Sequence, residues 1–206
     1  MRKYITKFCL KHPNFGFPNL MRYIAIANAL FWVASFVSPK FLNYLSFNPH
    51  FIFNGQIWRI ISFVFIPPTT GILGAIGIYF YYVVGNILEN YWGTARFNLF
   101  ILFGILLTLL YGFLMYFLLG LSVSLSAAYI FLSMFLAFAA LYPDTQVLYM
   151  FLIPIKMKWL ALLDLALFVV DIFRNPFPLN LLPLVAIVNV LVFCGKEVLN
   201  IFDFRS

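Results

Sequence analysis

From Phe97 to Pro143 the chain runs for 47 residues without one charged side chain. Few solvents can hold such a run. A bilayer core about 30 Å thick is crossed by about 20 mostly apolar residues, each rising 1.5 Å. The run therefore suffices for two crossings, with a break near Gly120 to Ser124. A second uncharged run, Ile60 to Leu88, lies just upstream. A soluble domain carries about 25% charged residues; this chain carries 9%, against 65% hydrophobic. It has too little polar surface to cover itself in water, and lipid is the solvent that fits. With no internal repeat, low-complexity tail or appended soluble domain, residues 1–206 read as one membrane-embedded domain.

Gaps between charges place the other spans. Arg22 and Lys40 enclose 17 uncharged residues, which predicts a first helix over about 20–38. Pro39 stops it, because proline lacks the N–H and clashes with the preceding turn. Phe41 to Pro68 is broken by the turn signals Asn48-Pro49 and Asn54-Gly55, yet is too apolar for water. It reads as a loop lying in the membrane interface, with Trp58 at headgroup depth and Arg59 snorkelling. Further spans follow over about 70–91, 97–119, 124–142, 155–173 and 179–200. The predicted fold class is all-α, a polytopic membrane protein built as a six-transmembrane-helix bundle.

Six spans put both termini on one side. That side collects ten of the thirteen cations and leaves only Lys40, Arg59 and Arg174 on the other. The positive-inside rule then places both termini in the cytoplasm, in the plasma membrane if the source is prokaryotic. The net charge of +7 is thus a statement about topology rather than nucleic acid. Residues 1–19 form a basic N-terminus with Lys3, Lys7 and Lys11 at helical spacing, as in an interfacial helix beside anionic headgroups. An ordinary positive-inside flank explains it equally well. It lacks the apolar core and cleavage site of a signal peptide. Cys9 and Cys194 are too few for a disulfide framework, and neither metal, nucleotide nor other cofactor is expected.

Two strings frame the second span: Gly55-Gln56-Ile57-Trp58-Arg59 before it, and Gly85-xxx-Glu89-xxx-Gly93-xx-Arg96-Phe97 leaving it. With Pro154-Ile155-Lys156-Met157-Lys158-Trp159 after the Tyr142-Pro143-Asp144 exit, they resemble the rhomboid superfamily. That superfamily includes intramembrane serine proteases and non-catalytic relatives, the derlins among them. The resemblance implies a six-span core in the same orientation and a structural role for the acid at Glu89. It also implies, for the proteases, a serine in a Gly-x-Ser-Gly setting on the fourth span and a histidine on the sixth. Here the only histidines are His12 and His50, and the closest serine string, Ser124-Leu125-Ser126-Ala127, lacks both glycines. The positions of the family's second-span oxyanion donors fall near Leu73 and Gly77, which have no donating side chain.

Gly85, Glu89 and Gly93 are four apart and share one helix face, where glycines admit a neighbouring helix. Near a helix C-terminus the Glu89 carboxylate needs donors, from Arg96 or from backbone N–H groups opening the third span. Asp164 lies about midway along the fifth span, where an ionisable group is expensive; Asn189 in the sixth is its candidate partner. Asp171 is expected to pair with Arg174. The reading reached is a rhomboid-like protein without the catalytic Ser/His pair, embedded in the lipid bilayer and binding transmembrane helices of single-span clients. One alternative is an active intramembrane serine protease using Ser126 or Ser133, with His50 as base. The other is a small transporter using Asp164.

Overall fold

The computed structural model describes residues 2–198 except 14, 39, 68, 70, 150–152, 175, 176 and 178. In chain order its helices are α1 (Arg2–Lys11), α2 (Leu20–Val37), α3 (Phe41–Leu45), α4 (Pro49–Phe53) and α5 (Arg59–Ser62). Then come α6 (Ile72–Trp92), α7 (Thr94–Leu119), α8 (Ala128–Leu141), α9 (Met157–Arg174) and α10 (Leu182–Cys194). Two short strands, β1 (Gln146–Tyr149) and β2 (Ile153–Lys156), pair antiparallel between α8 and α9.

A helix that is apolar on every face has to be enclosed on every face, and α8 is that helix. Ile130, Phe131 and every residue from Ser133 to Ala140 are buried. α6, α7, α9 and α10 pack around it. Its alanines at 137, 139 and 140, all fully buried, let those neighbours approach closely. At 14 residues α8 is about 21 Å long, shorter than the hydrocarbon core, because protein rather than lipid surrounds it.

The outer helices invert the soluble pattern. On α2, Met21, Ile24, Asn28 and Ser35 face inward, while Tyr23, Ile26, Leu30, Val33 and Val37 are exposed at three- and four-residue spacing. On α7, Leu102, Leu106, Leu110, Leu114 and Phe117 do the same. Exposed apolar stripes of this length need a nonaqueous neighbour. Among the described residues α2 and α7 are each long and apolar enough to cross a membrane. The 21 residues of α6 are also long enough, at about 31 Å.

Two expectations need correction. The fold is not purely helical, since Gln146 pairs with Lys156 and Val147 with Ile155 in the β1–β2 hairpin. A short apolar run cannot be told from a helix end by periodicity. The hairpin is fastened by Lys156 and Lys158, whose Nζ atoms lie 3.2 and 3.1 Å from Asp144 Oδ1. The two ammonium groups hold the Asp144 carboxyl below its ordinary range. A lowered pKa means this contribution is present near neutrality and fades as pH falls through the folded-state value.

The second correction concerns the glycine face. A Cβ on Gly85 would collide with Met21 of α2, so that residue does admit a neighbour. Gly93 faces open space and instead makes the α6–α7 turn at φ 79°, a conformation that strains any side-chain-bearing residue. The expected Asp171–Arg174 pair lies outside the described side chains.

Candidate functional site

The last carbonyls of a helix have no partner within it, and burying them unpaired is costly. At the end of α3 four consecutive carbonyls, Asn43 to Ser46, all receive side-chain donors. Arg59 Nη1 donates to Asn43 O at 2.6 Å and to Ser46 O at 2.7 Å. Trp58 Nε1 donates to Tyr44 O at 3.3 Å, and Ser62 Oγ to Leu45 O at 2.8 Å. Gln56 Oε1 accepts from Arg59 Nε at 2.7 Å and aims the guanidinium, which lies over the Phe51 ring. Arg59 is therefore only 3% exposed rather than snorkelling, while Trp58 remains half-exposed.

The same end of the bundle is closed by Asn48, which caps α4 and leads into Pro49 at its first turn. Asn48 Oδ1 accepts from Ser122 Oγ at 2.6 Å, and its Nδ2 donates to Ser124 Oγ at 3.0 Å. Beside it Phe47 and Leu125 exchange both backbone hydrogen bonds at 2.9 Å. The segments carrying His50 and Ser126 are thus drawn to one end of the molecule, yet each of these residues bonds locally. His50 Nε2 lies 3.2 Å from Asn54 Nδ2, and Ser126 Oγ accepts from Ala128 N at 3.4 Å.

Deep in the bundle Asn189 of α10 meets Ser133 of α8, not Asp164. Asn189 Nδ2 donates to Ser133 Oγ at 2.9 Å, and Ser133 Oγ donates to Ile130 O at 2.7 Å. Both residues are essentially inaccessible, and Asn189 Oδ1 has no hydrogen-bond partner among the described residues. Gly104 of α7 leaves the room that the amide occupies. Asp164 is half-buried on the side of α9 that carries Met157, Ala161 and Phe168, within electrostatic reach of Tyr81.

At the opposite end, Glu89 Oε1 accepts from Asn19 N at 2.8 Å and from Thr94 Oγ1 at 3.2 Å. Arg96 goes elsewhere: its Nη2 donates to Phe193 O at 2.7 Å, and its guanidinium lies 5.2 Å from the Trp92 ring centroid. A cation at the end of α10 suits the partial negative charge there. Asn98 clamps the approach to α2, accepting from Phe17 N and donating to Phe17 O, both at 3.0 Å. Asn19, Asn48, Thr94 and Asn98 carry these junctions, and only Asn48, through its proline, signals its role locally.

Because Glu89 joins α2, α6 and α7, its replacements separate shape from hydrogen bonding. Glu89→Gln keeps an acceptor for Asn19 and Thr94 and should melt near wild type in detergent. Glu89→Leu leaves both donors unsatisfied, at about 1–3 kcal/mol each, and should melt clearly lower. Equal melting of the two variants would remove the clasp.

Comparison with curated proteins and with solved structures yields no match. Residues 20–193 match the family described as "Eukaryotic integral membrane protein (DUF1751)". That interval holds every helix from α2 to the penultimate residue of α10. The chain is accordingly an integral membrane protein and belongs to this rhomboid-like family.

Proposed function

We propose that the protein is a non-catalytic rhomboid-like scaffold that binds transmembrane helices of other proteins. The observation that carries this reading is the Ser133–Asn189 contact between α8 and α10. A serine hydroxyl is a weak nucleophile without an adjacent base, and a carboxamide cannot take its proton. The Ser133 proton is directed at Ile130 O instead. Ser126 and His50 are each engaged within their own segments. An apolar cleft of about 350 Å³ between α2, the Phe63–Phe65 turn and α7, lined by Leu20, Val64, Phe65 and Ile105, offers room for side chains of a client. Asp164 lines neither this cleft nor the groove between α2 and α6.

Crosslinking within the membrane followed by purification should recover single-span proteins. Absence of any captured helix would defeat the scaffold reading. A serine-directed fluorophosphonate should leave the purified protein unlabelled. Labelling that disappears in Ser133→Ala, Ser126→Ala or His50→Ala would establish the protease instead.

The proposal includes six crossings with both termini in the cytoplasm. Cys9 lies at the Glu89 end near Arg96, with burial pushing its thiol up and the guanidinium pulling it back. An impermeant maleimide at mildly alkaline pH should label Cys9 once the plasma membrane alone is permeabilised. Cys194 is buried and should stay silent in the folded protein. Labelling of Cys9 from the outer or lumenal side would reverse the orientation.

A further inference from the structure

Between α2 and α6 lies an open groove of about 380 Å³. Arg22, Ala25, Ala29 and Trp32 line it along α2, and Ala75 and Tyr82 line it along α6. The four α2 positions fall on one helix face, and the short side chains of Ala25, Ala29 and Ala75 leave the space between the helices unfilled. Trp32 forms one end and is fixed there: its Nε1 donates to Gly71 O at 2.8 Å, and a Cβ on Gly74 would collide with its indole. Arg22 forms the other end. Its guanidinium is exposed, and among the described residues it has no hydrogen bond or ion pair.

The groove is thus an apolar slot with a free cation at its mouth. From Arg22 to Trp32 it runs ten residues, about 15 Å at 1.5 Å per residue. That is about half the 30 Å hydrocarbon core, the depth of one leaflet. A spanning helix of a partner needs a face twice as long and has no use for an arginine at headgroup level. A glycerophospholipid fits both features. One acyl chain fills the slot, and the phosphate meets the Arg22 fork, whose geometry suits bidentate phosphate binding.

We propose that this groove is a binding site for an anionic glycerophospholipid, with an acyl chain between α2 and α6 and the headgroup on Arg22. The site is independent of whether clients bind elsewhere on the bundle.

The test uses the full-length protein in nanodiscs and two photo-crosslinkable probes with identical diazirine-bearing acyl chains, phosphatidylserine and phosphatidylcholine. Crosslinks located by mass spectrometry should concentrate on residues 22–32 and 75–82. Phosphatidylserine should label about fivefold more than phosphatidylcholine, the effect of one cation beside an anionic lipid. Arg22→Gln should equalise the probes. Ala29→Leu fills the slot and should lower labelling by both while the melting temperature stays near wild type. Lys7→Gln, on α1, should leave the preference intact. Equal labelling of wild type by the two probes, a preference that survives Arg22→Gln, labelling spread evenly over the exposed helices, or a polypeptide crosslinked in the groove would each overturn the proposal.

Discussion

Arg59→Met should melt in detergent well below wild type, having lost about 3 kcal/mol or more from two charge-assisted hydrogen bonds at roughly 1.5–3 kcal/mol each. Methionine keeps most of the aliphatic length, so the change isolates the guanidinium. What disappears is the donor pair for Asn43 O and Ser46 O, at a residue only 3% exposed. Arg59→Lys keeps the charge without the planar fork. It can satisfy one carbonyl well but not both together with Gln56, and should fall between. Trp58→Phe removes a single 3.3 Å bond from a half-exposed ring, a loss of about 0.5–1.5 kcal/mol. Near-ultraviolet circular dichroism during heating measures all three. Arg59→Met should melt lowest, followed by Arg59→Lys and then by Trp58→Phe. An Arg59→Met protein that melts with wild type would mean the carbonyls at the end of α3 find water instead.

Much of the helical order was legible because charges and prolines set it. The predicted spans over about 20–38 and 70–91 differ from α2 (Leu20–Val37) and α6 (Ile72–Trp92) by two residues or fewer at each end. The departures have local causes. α7 begins at Thr94 rather than 97, since the backbone of Gly93 fixes that boundary and the charge of Arg96 does not. α8 begins at Ala128 rather than 124, because Ser122, Ser124 and Leu125 are held by Asn48 and Phe47. The singled-out residues were legible as types, but their partners were not. Glu89 finds Asn19 at a separation of 70 residues, and Asn189 finds Ser133 at 56. Pattern within one helix carries no record of which neighbour it meets. Nor does an arginine in a motif reveal that its target is a row of backbone carbonyls.

Phe47→Ala should be the most damaging single truncation at the loop end, and its partner Gly112 supplies a sign test. The Phe47 ring is completely buried, edge-on to Phe63 at 6.0 Å and to Phe113 at 5.3 Å between centroids. Truncating such a phenylalanine costs about 3–5 kcal/mol. A Cβ placed on Gly112 would collide with Phe47 Cε1. Gly112→Ala in the wild-type background should therefore overpack the contact, a penalty of about 1–3 kcal/mol. The same change brings a gain of about 1 kcal/mol from replacing glycine in a helix interior. With Phe47 intact the collision wins and Gly112→Ala destabilises. In the Phe47→Ala background the ring is gone, the new methyl enters part of the void, and only the helix gain remains. Gly112→Ala should then stabilise. Thermal unfolding of the two single variants and the double variant closes the cycle, since residues in contact are the ones whose effects fail to add. Strict additivity would show that Phe47 does not rest on Gly112 in the membrane. A change of sign would show that this ring holds the segment between α3 and α4 against α7.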